Sequence, residues 1–148
     1  MNNDNMTPTQ WAAKLISDGY SPEKVEQILR REGIAFPTIA GVLNEMLGKK
    51  NMSVEMLAGF SGMDPSTIHR ILNRTRNPSR NGLIKLALAL SLTLEETQVL
   101  IKSGNCSALS GTRLRDLVIM DGIINKSNYF DVNKALTEKG LDSLDSKG

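Results

Sequence analysis

The sequence is poor in aromatics. They make up 4% of it, with one Trp, two Tyr and three Phe, so any core must be packed from Leu, Ile, Val, Met and Ala. There is one cysteine, Cys106, and one histidine, His69. A lone cysteine excludes an internal disulfide and a thiolate metal cluster, and suits a reducing compartment. Its plainest role is structural, buried or half-buried. A lone histidine without ligand spacing around it points to no metal site. No apolar run approaches the ~20 residues that span a bilayer. The polar, Asn-rich start, Met1 to Met6, leads into no apolar signal segment. A cytoplasmic location is expected, with no membrane partner. The sequence has no strand pattern of useful length, no heptad series, no low-complexity tract and no repeat. It also offers no paired-carboxylate setting and no phosphate-cradling glycine loop, so neither an enzyme nor a cofactor is expected. Asp116 and Asp121 read as surface or capping groups.

What the chain does have is helical patterning and an uneven charge. Hydrophobic residues make up 40% and the net charge is +2. Residues 1–34 carry a net −1, residues 35–92 a net +4 and residues 93–148 a net −1. The positive charge lies in the middle of the chain, as contact with a phosphate backbone requires.

The stretch 53–72 organises this middle. Two short helical patterns flank a joint at Gly62-Met63-Asp64. Ser53 suits an N-cap of the first helix and Asp64 of the second, with Pro65 at its first position, where a missing N–H costs nothing. Leu57, Ala58 and Ser61 give the first helix a buried side. Ile68, Ile71 and Leu72 do so for the second at i, i+3, i+4. Ser66, Thr67, His69, Arg70 and Asn73 fall on the other sides of the second helix. A supporting helix followed by one that presents polar groups is the plan of a helix-turn-helix.

The flanking segments also read as helices. Thr7-Pro8-Thr9-Gln10 is a capping box ahead of Trp11, Ala12, Leu15 and Ile16, with Gly19 as a stop. Ser21-Pro22 starts a second helix with Val25, Ile28 and Leu29 on one face and Gly33 at its end. Arg30 and Arg31 read as a solvated face. Pro37 opens a third, Ile39, Val42, Leu43, Met46 and Leu47 being its stripe, Gly48 its end and Lys49-Lys50-Asn51 a basic link. After the central pair, 73–80 is a polar, basic loop. Gly82 begins an unusually apolar helix (Leu83, Leu86, Ala87, Leu90) expected to be well buried. Thr93-Leu94-Glu95-Glu96 is another capping box, leading a stripe of Leu94, Thr97, Leu100 and Ile101 that ends at Ser103-Gly104-Asn105. Two further helices are expected, from Arg113 to Ile124 and from Asp131 to Lys139. Gly140 stops the second and Leu141 closes against it.

Residues 39–103 resemble the Cro/phage-repressor (XRE) class of helix-turn-helix domains. The resemblance rests on Leu57-Ala58, Gly62-Met63, Ser66-Thr67-Ile68, Arg70-Ile71 and Arg76-Asn77-Pro78-Ser79, then on Leu86-Ala87-Leu88-Ala89-Leu90 followed by Leu94-Glu95-Glu96. Residues 112–142, with Arg115-Asp116, Asp131-Val132-Asn133 and Gly140-Leu141, resemble C-terminal extensions of such proteins in Gram-positive bacteria. The resemblance implies an all-α fold: a five-helix repressor-like domain with N- and C-terminal helical extensions. The expected organisation is a disordered tail (1–6), a helical pair (7–34), the helix-turn-helix domain (35–104), a helical extension (105–141) and a disordered tail (142–148).

The resemblance also implies a site and a partner, double-stranded DNA. Pro65, Ser66, His69 and Arg70 take the base-facing or groove-facing positions. Lys49, Lys50, Thr67, Asn73, Arg74, Arg76 and Arg80 are candidates for phosphate contact or capping. Two positions depart from the family pattern in the reading head: Val54 stands where Gln commonly opens the supporting helix, and Pro65 opens the recognition helix. Arg74 stands where the family usually has Gly. A left-handed cap is strained for Arg, so either Asn73 takes that conformation or the helix ends differently. The leading expectation is a sequence-specific transcriptional regulator from a bacterium or its prophage, binding as a homodimer. The alternative is a helical protein-interaction module or adaptor that keeps the repressor-like fold and meets a protein partner through residues 7–34 or 105–141.

Overall fold

The computed structural model describes residues 7–31 and 38–146. The chain divides between residues 37 and 38 into two units. Among the described residues every regular element is a helix, in agreement with the all-α expectation.

The first unit holds α1 (Pro8–Ser17) and α2 (Pro22–Arg31). The capping box forms as expected: Gln10 N–H donates to Thr7 Oγ1 at 3.1 Å, and Thr7 N–H donates to Gln10 Oε1 at 2.9 Å. Gly19, at φ 98°, lets the chain reverse. Trp11 and Leu15 pack with Val25 and Leu29 in a small core of their own. Ile16, expected on that face, is exposed. The tails at 1–6 and 147–148, the stop at Gly33 and the helix opening at Pro37 lie outside the described residues.

The second unit runs through α3 (Ile39–Lys50), α4 (Val54–Ser61), α5 (Pro65–Leu72), α6 (Arg80–Ala89), α7 (Leu94–Ser103), α8 (Leu114–Ile124) and α9 (Tyr129–Glu138). Helix α6 is its axis. Asn81 to Ile84 and Leu86 to Leu90 are all buried, and α4, α7, α8 and α9 pack around it. Burial on that scale, at about 1.5–3 kcal/mol for each fully buried Leu or Ile, makes α6 the support of both the helix-turn-helix and the C-terminal helices. Leu57, Ile68, Ile71, Leu83, Leu100, Ile119, Val132 and Leu136 belong to one cluster.

Several local expectations are corrected. Helix α3 continues past Gly48 to Lys50, and Asn51 caps it in the left-handed conformation at φ 53°. Lys49 and Lys50 therefore lie in its last turn. Helix α6 starts at Arg80, two residues before Gly82, because Ser79 Oγ accepts from Gly82 N–H at 3.1 Å. Helix α9 starts at Tyr129 because Asn128 Oδ1 caps it by accepting from Asp131 N–H at 2.8 Å. On α8, Ile119 and Ile123 are buried, whereas Leu114, Leu117 and Ile124 are exposed.

Residues 142–146, read from the sequence as a fraying end, are packed. Leu144 is buried, and its N–H donates to Asn133 Oδ1 at 2.6 Å. Asn81 Nδ2 donates to the Ser146 carbonyl at 2.9 Å. Arg115 donates to the Asp142 and Ser143 carbonyls and to Asn81 Oδ1. Asp116, read as a surface or capping group, is buried against Arg80.

Candidate nucleic-acid interface

Helices α4 and α5 are held by their ends. Met56 N–H donates to Ser53 Oγ at 3.2 Å, and Ser66 N–H donates to Asp64 Oδ1 at 3.2 Å, with Pro65 at the first helical position. Gly62 makes the turn at φ 70°. Ser61, fully buried, ties the turn together: its hydroxyl donates to the Ala58 carbonyl at 3.4 Å and accepts from Met63 N–H at 3.2 Å. Ile68 and Ile71 point into the core. That fixes the roll of α5 and turns Pro65, Ser66, His69 and Arg70 outward, all exposed, with Asn73 beside them and Thr67 half-buried.

The loop after α5 is folded back on Arg70. The Arg70 carbonyl accepts from Thr75 N–H at 2.9 Å and from Arg76 N–H at 3.2 Å. Asn73 Oδ1 accepts from the Thr75 hydroxyl at 2.6 Å. Arg74 itself takes the left-handed conformation at φ 66°, while Asn73 stays at φ −92°. The strain expected for a non-glycine residue is thus carried by the arginine, which projects from the loop as a cation. Arg70, Arg74 and Arg76 make no ion pair among the described residues.

Two acids share this face. Asp64 caps α5, and Glu55 Oε1 lies 4.0 Å from His69 Nε2, a contact that is an ion pair only when the imidazole is protonated. Lys49 pairs loosely with Glu45 across one helical turn at 3.5 Å. Lys50 and Lys49 lie close enough to α7 to act on Glu96. The Thr93 N–H holds the Glu96 carboxyl below its usual range against burial, with help from the Thr93 hydroxyl and the two lysines.

Arg80 stands apart from the other candidates. Its guanidinium donates to Asp116 Oδ1 at 3.1 Å and Oδ2 at 2.9 Å, and to the carbonyls of Ser107 and Ala108. Burial pushes the Asp116 carboxyl up, but bonds from Arg80 and the Ser110 N–H outweigh it, and the charges of Arg80 and Arg113 add to them, so it sits below its usual range. Such a committed arginine has no donor fork left for a phosphate.

One cluster escaped the sequence reading because its members are far apart in the chain. Lys85 on α6, Tyr129 on α9 and Asp145 in the final segment meet. Lys85 Nζ lies 2.7 Å from Asp145 Oδ1 and 5.5 Å from the Tyr129 ring centre, and the Tyr129 hydroxyl donates to the Asp145 carboxylate at 2.5 Å. Burial, the bond to Asp145 and its charge push the Tyr129 hydroxyl up to about 12. Lys85 and Asp145 line a groove of about 430 Å³ together with Thr67, Arg76 and Ser79.

No helix among the described residues is long and apolar enough to cross a membrane. The comparisons with curated proteins and with solved structures gave no match. A family model described as helix-turn-helix matches residues 43–96, from within α3 into α7. With the capped α4–turn–α5 pair in place, the match supports a helix-turn-helix segment similar to those of the Cro/phage-repressor class over residues 43–96.

Proposed function

We propose that this chain is a sequence-specific DNA-binding transcriptional regulator that acts by binding, not catalysis. The observation that carries the reading is the outward face of α5: Ser66, His69 and Arg70 are exposed on a helix whose opposite side is locked into the core. Arg70 suits a guanine in two bonds, worth about 1–3 kcal/mol of discrimination, and Ser66 suits a base edge. The Pro65 ring can give apolar contact only, as to a thymine methyl. Arg74 and Arg76, with Thr67, Asn73, Lys49 and Lys50, supply phosphate contacts that fix the register. A homodimer of cytoplasmic, bacterial or prophage origin would place two α5 helices on major-groove faces about 34 Å apart. Enrichment of a random duplex pool on the purified chain tests this. The expected result is a two-fold symmetric motif with half-sites one helical turn apart. A pool that stays random after repeated selection contradicts it.

The second reading is a protein-interaction module that keeps the fold. The exposed apolar side chains Phe60 and Phe130, which line a groove together with Met52, Leu88 and Ala89, favour it. So do Glu55 and Asp64, which repel phosphate on the face that would read DNA.

A further inference from the structure

We propose that Tyr129 and Asp145 are positioning residues for α5: through them the last described segment, 142–146, holds the turn of the helix-turn-helix in its reading geometry. The proposal rests on the DNA-reading function above.

The link starts at Gly62. Its left-handed backbone sets the angle between α4 and α5, and the ring of Tyr129 lies directly on it. A β-carbon added at Gly62 would stand 2.8 Å from Tyr129 Cε2, so the turn and the ring are in closer contact than any other residue would allow. The far end of the ring is fixed by its hydroxyl bond to Asp145. Asp145 is fixed in turn by Lys85 at 2.7 Å and by Asn133 Nδ2 at 3.1 Å. The segment carrying it is held on both sides, by Arg115 on the Asp142 and Ser143 carbonyls and by Asn81 on the Ser146 carbonyl, with Leu144 buried between.

The side chains in this chain of contacts come from α6, α8, α9 and the final segment; they hold Asp145 and its segment, and Tyr129 carries the link to the turn at Gly62. The same groove wall carries Asp64, which caps α5, and Thr67 and Arg76, which are candidates for phosphate contact. Release of the Asp145 carboxylate frees the Tyr129 hydroxyl, loosens the ring on Gly62 and lets α5 change its tilt. Asp145 shares its groove with Thr67 and Arg76, so the charge-neutral Tyr129→Phe is the variant that separates geometry from the number of phosphates neutralised.

Tyr129→Phe keeps the ring on Gly62 and removes only the hydroxyl bond. Asp145→Asn keeps the shape and removes the charge. Each is compared with the unaltered full chain, well below its unfolding transition, by hydrogen exchange and by titration with an enriched duplex and a random duplex over a salt series. The expected result is faster exchange confined to residues 62–68 and a specific-over-random affinity ratio lowered about 3–10-fold in both variants, with an unchanged salt slope in Tyr129→Phe. A change in salt slope in Tyr129→Phe would mean that the ring acts on phosphate contacts and would overturn the proposal. So would an unaltered ratio, or faster exchange spread over the whole chain. If the unaltered chain shows no preference for any duplex, the DNA-reading function itself fails, and the positioning role with it. That outcome is separate from a selective parent with indifferent variants, which overturns only the positioning role.

Discussion

Arg80 and Asp116 meet in a two-bond pair across 36 residues of chain, joining the start of α6 to α8. The Asp116 side chain is 3% exposed and that of Arg80 21%. Removing one partner leaves a buried charge uncompensated, which costs about 3–5 kcal/mol. Arg80 keeps some access to water, so the lower end applies. Arg80→Ala is expected to lower the unfolding free energy by about 3 kcal/mol in urea titration and to leave the salt slope for random duplex unchanged. Arg76→Ala is expected to reduce that slope by about 1 at little cost in stability.

Acid should find this pair. The Asp116 carboxyl is depressed in the folded chain, so its contribution is complete above the unfolded value of about 4 and is lost as pH falls through the lower folded value. Asp145 and Glu96 are depressed too and act in the same direction. Stability measured from pH 6 downward should begin to fall near pH 4, and the fall should be shallower in Asp116→Asn, which has no carboxyl to protonate. Equal slopes in the two proteins would contradict the assignment.

Alkali should find Tyr129. Its folded value is about 12 against about 10 in an unfolded chain. The unfolded state therefore gives up this proton first, and stability attributable to the group is lost as pH rises from about 10 toward 12. In an ultraviolet titration Asp145→Asn should lower the Tyr129 value, because the charge that helps to raise it is gone and the bond is left with a weaker, neutral acceptor. Burial, the largest cause, should keep it above the ordinary range.

Arg74 separates stability from binding. A non-glycine residue held at φ 66° costs roughly 1–2 kcal/mol, so Arg74→Gly should raise the unfolding free energy by about 1 kcal/mol while weakening DNA binding by the loss of one cation. A variant that gains stability and binds DNA equally well would remove Arg74 from the phosphate contacts.

Asp64 can be tested the same way. Ser is about as good an N-cap as Asp, so Asp64→Ser should leave stability within a few tenths of a kcal/mol. It removes a negative charge from the end of α5 that the proposed function turns toward DNA, so random-duplex affinity should rise. Calorimetry and anisotropy read the two effects on one protein.

The helices were legible where local chemistry decides. Both capping boxes, the Ser53 and Asp64 caps, the Gly62 turn and the buried sides of α4 and α5 form as their residues dictate. Boundaries failed where a competing cap was overlooked. Ser79 starts α6 ahead of Gly82, and Asn128 starts α9 ahead of Asp131. The loop arginines could not be sorted by pattern. Arg74, Arg76 and Arg80 are chemically alike in sequence, and only the return of α8 decides that Arg80 faces inward. The Lys85–Tyr129–Asp145 cluster had no local signal at all, since the three residues lie on three separate segments of the chain. The packing of 142–146 was hidden for the same reason: its single large apolar residue, Leu144, gives no periodicity.

The central claim is that α5 reads a DNA sequence. Its most direct test is fluorescence-anisotropy titration of the purified full chain with duplexes from its own genomic locus, with random duplex as competitor, for the parent and for Arg70→Ala. The account predicts selective binding by the parent and a loss of selectivity of roughly 5–150-fold in the variant, the equivalent of one bidentate base contact. Binding no tighter than to random duplex, or selectivity untouched by the loss of Arg70, would contradict it and favour the protein-interaction reading.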